Sequence, residues 1–144
     1  MTTTAVVEIL GGEKVLGRTV KRSSELAQLV RDGIPAQALR VLTERTGLRQ
    51  ADVSSHFGIP QRTLTRRLAH HARLTAAESD RTVRLASVYA AAVETLGDEA
   101  KASAWLKTPN RALRGGRPLD QLDTDPGVRE VEDILGRIAY GVYS

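Results

Sequence analysis

Cysteine is absent from the 144 residues, which excludes disulfides and thiol chemistry and points to an intracellular, reducing setting. No apolar run approaches the roughly 20 residues that cross a bilayer, and the opening MTTTAVVEILGG has neither a basic n-region nor a long apolar core. The expectation is a soluble cytoplasmic protein. Catalytic signatures are missing too. Gly115-Gly116 runs into Arg117-Pro118 without the spacing of a phosphate-binding loop, and no GxSxG occurs. His70 and His71, adjacent on a helix, point about 100° apart, and no ligand-spaced histidine or cysteine accompanies them or His56. The three read as surface or DNA-flanking groups. Asp120, Asp123, Asp125, Glu130, Glu132 and Asp133 read as turn, cap and helix-dipole charges. Neither an enzyme nor a cofactor or metal site is expected.

What is present is unevenly distributed charge. The chain carries a net +4, yet residues 35–74 alone hold seven basic and two acidic groups, while residues 98–144 are slightly acidic. A local cationic segment beside a near-neutral remainder suits phosphate-backbone binding better than adhesion to a membrane. The length suits one compact domain or two small helical ones sharing a core.

Residues 5–20 form two short apolar clusters around Gly11-Gly12, read as a hairpin or an irregular arm. Ser23-Ser24 offers an N-cap for a short helix through Leu26, Leu29 and Val30 that stops at Gly33, and Pro35 opens a second one running to Gly47. Thr75 with Glu78 is a capping box heading a long helix whose apolar positions recur to Leu96, either lining the core or also touching another subunit. Asp98 caps a further helix.

Between them, QADVSSHFGIPQRTLTRRLAHH has the helix-turn-helix pattern. A helix burying Val53 and Phe57 meets Gly58, and Ile59-Pro60 restarts the chain into a second helix with Leu64 and Leu68 inward. Gln61, Arg62, Thr63, Thr65 and Arg66 then fall on or beside the outer N-terminal face of that helix. There Gln and Arg suit adenine and guanine edges, and Thr suits a phosphate or a thymine methyl. Arg67 and Arg49 are assigned to the DNA backbone. The alternative for the whole set is an ordinary solvated helix face.

After Trp105-Leu106, Thr108-Pro109 ends a helix, and residues 110–118 make a cationic loop with Arg111, Arg114 and Arg117 around Gly115-Gly116. Asn110 and Arg111 read as structural, whereas Arg114 and Arg117 are left between a solvated role and a partner surface. Asp125 before Pro126 suits an N-cap with a first-turn proline. The helix that follows carries Val128, Val131, Leu135, Ile138 and Val142.

This stretch, through TPNRAL, GG, PLD, LDT, Gly127, Val131-Glu132, LGRI and the ending YGVYS, resembles the C-terminal toxin-binding domain of the MbcA/ParS/Xre antitoxin family, and the helix-turn-helix resembles the Xre-like group. Two positions depart from the pattern. Ala139 stands where an acidic residue is usual, and Arg114 interrupts a run more often Ala-Leu-Gly-Gly. The resemblance implies an all-α helical bundle: an arm and short helix over 1–34, a helix-turn-helix domain over 35–97 and a small toxin-binding domain over 98–144. It also implies the partners, namely a RES-domain toxin that acts on NAD, and operator DNA. The residues expected at the toxin are Arg114, Arg117, Arg137, Tyr140, Gly141, Val142, Tyr143 and Ser144. Tyr140 and Tyr143 serve as apolar anchors with polar tips, unless they are ordinary helix-end packing, and the α-carboxylate of Ser144 as a phosphate mimic. A homodimer is expected because helix-turn-helix proteins read paired half-sites. The competing readings are a stand-alone regulator with a dimerising or sensing C-terminal region, and a helical adaptor that binds no DNA.

Overall fold

Capping side chains and glycines divide the chain into helices throughout. The computed structural model describes residues 3–141, and among these are nine α-helices, two 3-10 turns and a single isolated bridge pairing Pro35 with Arg73. The expectation of an all-α fold holds.

The N-terminal segment is the main departure. Where a hairpin or irregular arm was expected, two short helices form, α1 (Thr3–Ile9) and α2 (Gly12–Leu16). Both are too short to persist alone. They are held by burial of Val6, Ile9, Leu10 and Leu16, with α1 lying on the helices Ala36–Thr46 and Ala76–Leu96 and α2 on the first of these. α3 (Ser23–Asp32) begins one residue from where its serines suggest. Arg22 is the N-cap, and the Glu25 carboxylate accepts from the N–H groups of Lys21 and Arg22 at 3.1 and 3.0 Å.

α4 (Ala36–Thr46) starts after Pro35 and ends at Gly47 as its signals predict. α5 (Gln50–Phe57) and α6 (Gln61–Ala69) follow, then α7 (Ala76–Leu96), capped by the reciprocal Thr75 and Glu78 bonds. The junctions before α4 and before α7 are tied together. Leu74 N donates to Ile34 O at 2.7 Å, Ala36 N to Ala72 O at 3.0 Å, and Ile34 N to the buried Ser79 Oγ at 2.8 Å.

α7 is the axis of the molecule. Leu85, Ala86, Val88, Tyr89 and Ala92 are buried around it, and it meets α1, α3, α4, α5, α8 (Glu99–Lys107) and α9 (Asp125–Ala139). Burial of a side chain such as Leu85 or Val88 stabilises by about 1.5–3 kcal/mol. Its apolar surface is spread round the helix because neighbours cover more than one side. Tyr89 is buried with its hydroxyl 3.1 Å from Glu99 Oε1 and 3.3 Å from Arg45 O, so its polar tip is satisfied where α4, α7 and α8 meet.

Between α8 and α9 lie the two 3-10 turns, Arg111–Leu113 and Pro118–Gln121. Asn110 is structural as expected, its side chain accepting from Ala112 N at 2.9 Å. The cap of α9 is Thr124, which accepts from Gly127 N, and Asp125 is the first helical residue instead of the cap. A Cβ at Gly127 would fall 1.9 Å from the carbonyl oxygen of Gln121, so only glycine lets this helix start against the second turn. Val131, Ile134 and Leu135 then seal α9 onto α7. The helix runs to Ala139, and Val142, expected in it, lies outside the described residues.

Candidate functional site

α5 and α6 are joined through Gly58, whose left-handed φ of 68° turns the chain within one residue while its N–H donates to Ser54 O at 2.9 Å. Val53, Phe57 and Ile59 are buried beneath the turn. On α6, Leu64 and Leu68 face inward and are half-buried, so Gln61, Arg62, Thr65 and Arg66 are exposed and Thr63 is half-buried. Arg62 and Arg66, one turn apart, share a face. Neither they nor Arg49, the exposed N-cap of α5, make an ion pair among the described residues. Three guanidinium groups on or beside a helix-turn-helix are therefore unspent.

Arg67 differs from its expected place at the DNA backbone. It is engaged with Glu78, Nη1 to Oε1 at 2.5 Å and both side chains largely covered, and this bond links α6 to the capping box of α7.

The loop arginines also sort differently from the sequence reading. Arg117, left between solvent and a partner, is a structural tie: Nε and Nη2 donate to Asp120 at 2.9 and 2.8 Å, and Nη2 reaches Asp52 on α5 at 3.1 Å. These carboxylates, Asp120 foremost, raise the Arg117 pKa and keep the guanidinium charged, and Arg117 in turn holds the Asp120 carboxyl below its ordinary range. Arg111, read from the sequence as structural, is instead exposed, with no side-chain hydrogen bond or ion pair among the described residues.

Beside the Arg117 tie is a cleft of about 300 Å³ lined by Asp52, Ser55, His56, Arg81, Leu119, Asp120 and Asp123. His56 is not at the surface as expected. Its ring stacks edge-on to Phe57 at 4.7 Å, and Nε2 is buried without a hydrogen-bond partner. Burial first, and the nearby Arg81 charge second, push its pKa down. Arg81 donates to His56 O at 3.1 Å, and Arg84 joins α7 to Leu122 O at 3.3 Å and to Asp125 at 3.2 Å. The helix-turn-helix and the C-terminal region thus share one polar seam. No local pattern announces it, because its partners lie 25 to 65 residues apart in the chain.

At the far end of α9, Tyr140 is the C-cap and is 86% exposed, the one exposed large hydrophobic side chain among the described residues. Helix-end packing is thereby ruled out as its role. Arg137 is exposed one turn earlier and borders a hollow with Gly136 and Tyr140, and Gly141 turns the chain with a φ of 69°. Val142, Tyr143 and Ser144 lie outside the described residues. No group of three or more His, Cys, Asp or Glu side chains suited to a metal occurs among the described residues, and no helix there is long and apolar enough to cross a membrane.

Comparison with known proteins finds a family match for each of the two regions. Residues 25–87 match the antitoxin Xre-like helix-turn-helix domain, and residues 91–141 match the antitoxin Xre/MbcA/ParS C-terminal toxin-binding domain. The chain is 34% identical over 130 residues to a protein named antitoxin Xre from Yersinia enterocolitica, covering 90% of this chain and 88% of the relative. It is 38% identical over 117 residues to an antitoxin Xre from Pseudomonas putida, covering 81% and 72%. A third antitoxin Xre, from Photorhabdus laumondii, is 30% identical over 132 residues, covering 91% and 89%.

Proposed function

Because the chain belongs to the Xre antitoxin family, we propose that it is the antitoxin of a type II toxin–antitoxin pair whose toxin is a RES-domain protein, and that it also represses its own operon. The observation that carries the toxin half is the end of α9. An 86% exposed tyrosine, beside Arg137 and followed by a glycine turn, closes the region that matches a toxin-binding domain. An aromatic side chain left in water is unfavourable for a free monomer and favourable once a partner covers it. In the resemblance to family antitoxins, this segment covers access to the toxin's NAD site. Tyr140, Gly141, Val142, Tyr143 and Ser144 form the plug, and Arg137 supports it.

The DNA half uses Gln61, Arg62, Thr63, Thr65 and Arg66 at base edges and Arg49 at the phosphate backbone. Arg67 contributes by holding α6 through Glu78. Two copies of the chain, reading two half-sites, give the operator complex.

The test is co-expression of the full chain, and of a version lacking residues 140–144, with the product of the adjacent gene. Rescue of growth and co-purification by the full chain, with loss of rescue by the truncated one, is expected. A neighbour that is harmless alone and never co-purifies would refute the toxin half and leave a stand-alone DNA-binding regulator.

A further inference from the structure

The first 3-10 turn holds an arginine that its own backbone does not favour. Arg114 has φ 57° and ψ 35°, the left-handed region in which a side chain crowds the following carbonyl. The turn closes through main-chain bonds and the Asn110 cap, without the Arg114 side chain. Arg114 N donates to Arg111 O, Gly115 N to Asn110 O and Gly116 N to Leu113 O, each at 3.0 Å, and Asn110 N donates to Gly116 O at 2.9 Å. Glycine at position 114 would make every one of these bonds with less strain.

Nor does the arginine side chain hold the fold together. It is 77% exposed, and its only ion pair among the described residues is to Glu130 at 3.9 Å, the outer limit of such a contact. Arg111, three residues earlier and also exposed, has no ion pair among the described residues. Contacts among the described residues do not account for a strained, exposed cation beside a second unspent one.

We propose that Arg111 and Arg114 form a cationic edge that binds carboxylates on an acidic surface of the toxin, and that this edge discriminates among toxins by charge. The proposal rests on the antitoxin reading above. A protein surface is favoured over nucleic acid because the turn lies inside the region matching a toxin-binding domain and outside the residues matching the helix-turn-helix, and planar guanidinium groups suit bidentate pairing with surface carboxylates.

The experiment compares the full-length wild type with Arg114→Gly, Arg114→Lys and Arg111→Ala. Each is measured for thermal stability, for affinity to the toxin across a salt series, and for affinity to operator DNA. Arg114→Gly is expected to melt at least as high as wild type, by up to about 4 °C. Its toxin affinity falls about tenfold with a shallower salt dependence, and its operator affinity stays unchanged. Lysine restores the charge but only part of the affinity. Three results overturn the edge: equal toxin affinity and salt slope in wild type and Arg114→Gly, a loss confined to operator binding, or a loss of affinity accompanied by a lower melting temperature. A wild-type chain that binds no toxin refutes the antitoxin reading itself, and the edge with it.

Discussion

Replacing Arg117 by alanine removes the tie between the C-terminal loop and α5. The two carboxylates it serves differ in burial. Asp120 is half exposed, so losing that pair is worth only about 0.5 kcal/mol. Asp52 is different, because its side chain is just 13% exposed and the substitution leaves its charge covered and unpaired at the seam. A charge-assisted bond of that kind is worth about 1.5–3 kcal/mol, which gives roughly 2–3.5 kcal/mol for the whole site. For a chain of this size that lowers the melting temperature by about 4–14 °C. Thermal denaturation followed by circular dichroism measures it, and a cycle with Asp52→Asn isolates the pair: the double variant should lose clearly less than the two singles together. The sign with pH follows from Asp120, whose pKa is depressed in the fold. Its share of stability is present above about pH 4 and is lost as pH falls through the folded value. An Arg117→Ala variant within about 0.5 kcal/mol of wild type, or strictly additive singles, would refute this account of the seam.

Gly127→Ala forces a methyl onto the Gln121 carbonyl and is expected to destabilise by about 3 kcal/mol or more, seen as a lower midpoint in urea. Gly58→Ala meets no neighbouring atom and pays only the left-handed backbone, about 1–2 kcal/mol by the same measurement. Arg62→Ala and Arg66→Ala should each weaken operator binding while leaving the melting temperature within about 2 °C of wild type, and a phosphate role would show as a salt slope reduced by about 1. His56, faced by Arg81 and Arg84 from α7 and by Asp120 and Asp123 from the loop, has a lowered pKa. Stability is therefore full above about pH 6.5 and declines as pH falls toward its folded value, and His56→Gln should flatten that decline in a pH series of thermal melts.

Local signals read correctly wherever a single residue fixes a backbone state. Gly58 between Val53-Phe57 and Ile59-Pro60 marked the helix-turn-helix, and Thr75 with Glu78 marked the start of the longest helix. The arm over 5–20 was misread because its apolar clusters are too short for a periodicity to separate strand from helix, and burial against α4 and α7 decides the outcome. Thr124 displaced Asp125 as the α9 cap by a single residue, a margin at which Thr and Asp are comparable caps. The arginines were the hardest part. Arg67, Arg111 and Arg117 look alike in sequence, yet one is spent on Glu78, one is free and one bridges Asp52 and Asp120, according to carboxylates up to 65 residues away. Tyr140 is exposed, which the sequence alone left open between a partner anchor and helix-end packing.

The two matched regions meet inside α7, since one ends at residue 87 and the other begins at residue 91 of a helix running from Ala76 to Leu96. No cut between them spares that helix. Recombination at this boundary would hand each fragment half of a shared spine, with Leu85 and Val88 stripped of one set of neighbours. Substitutions on the outer surface of α9 and its preceding turns leave that spine whole, whereas an exchange of modules at this boundary does not.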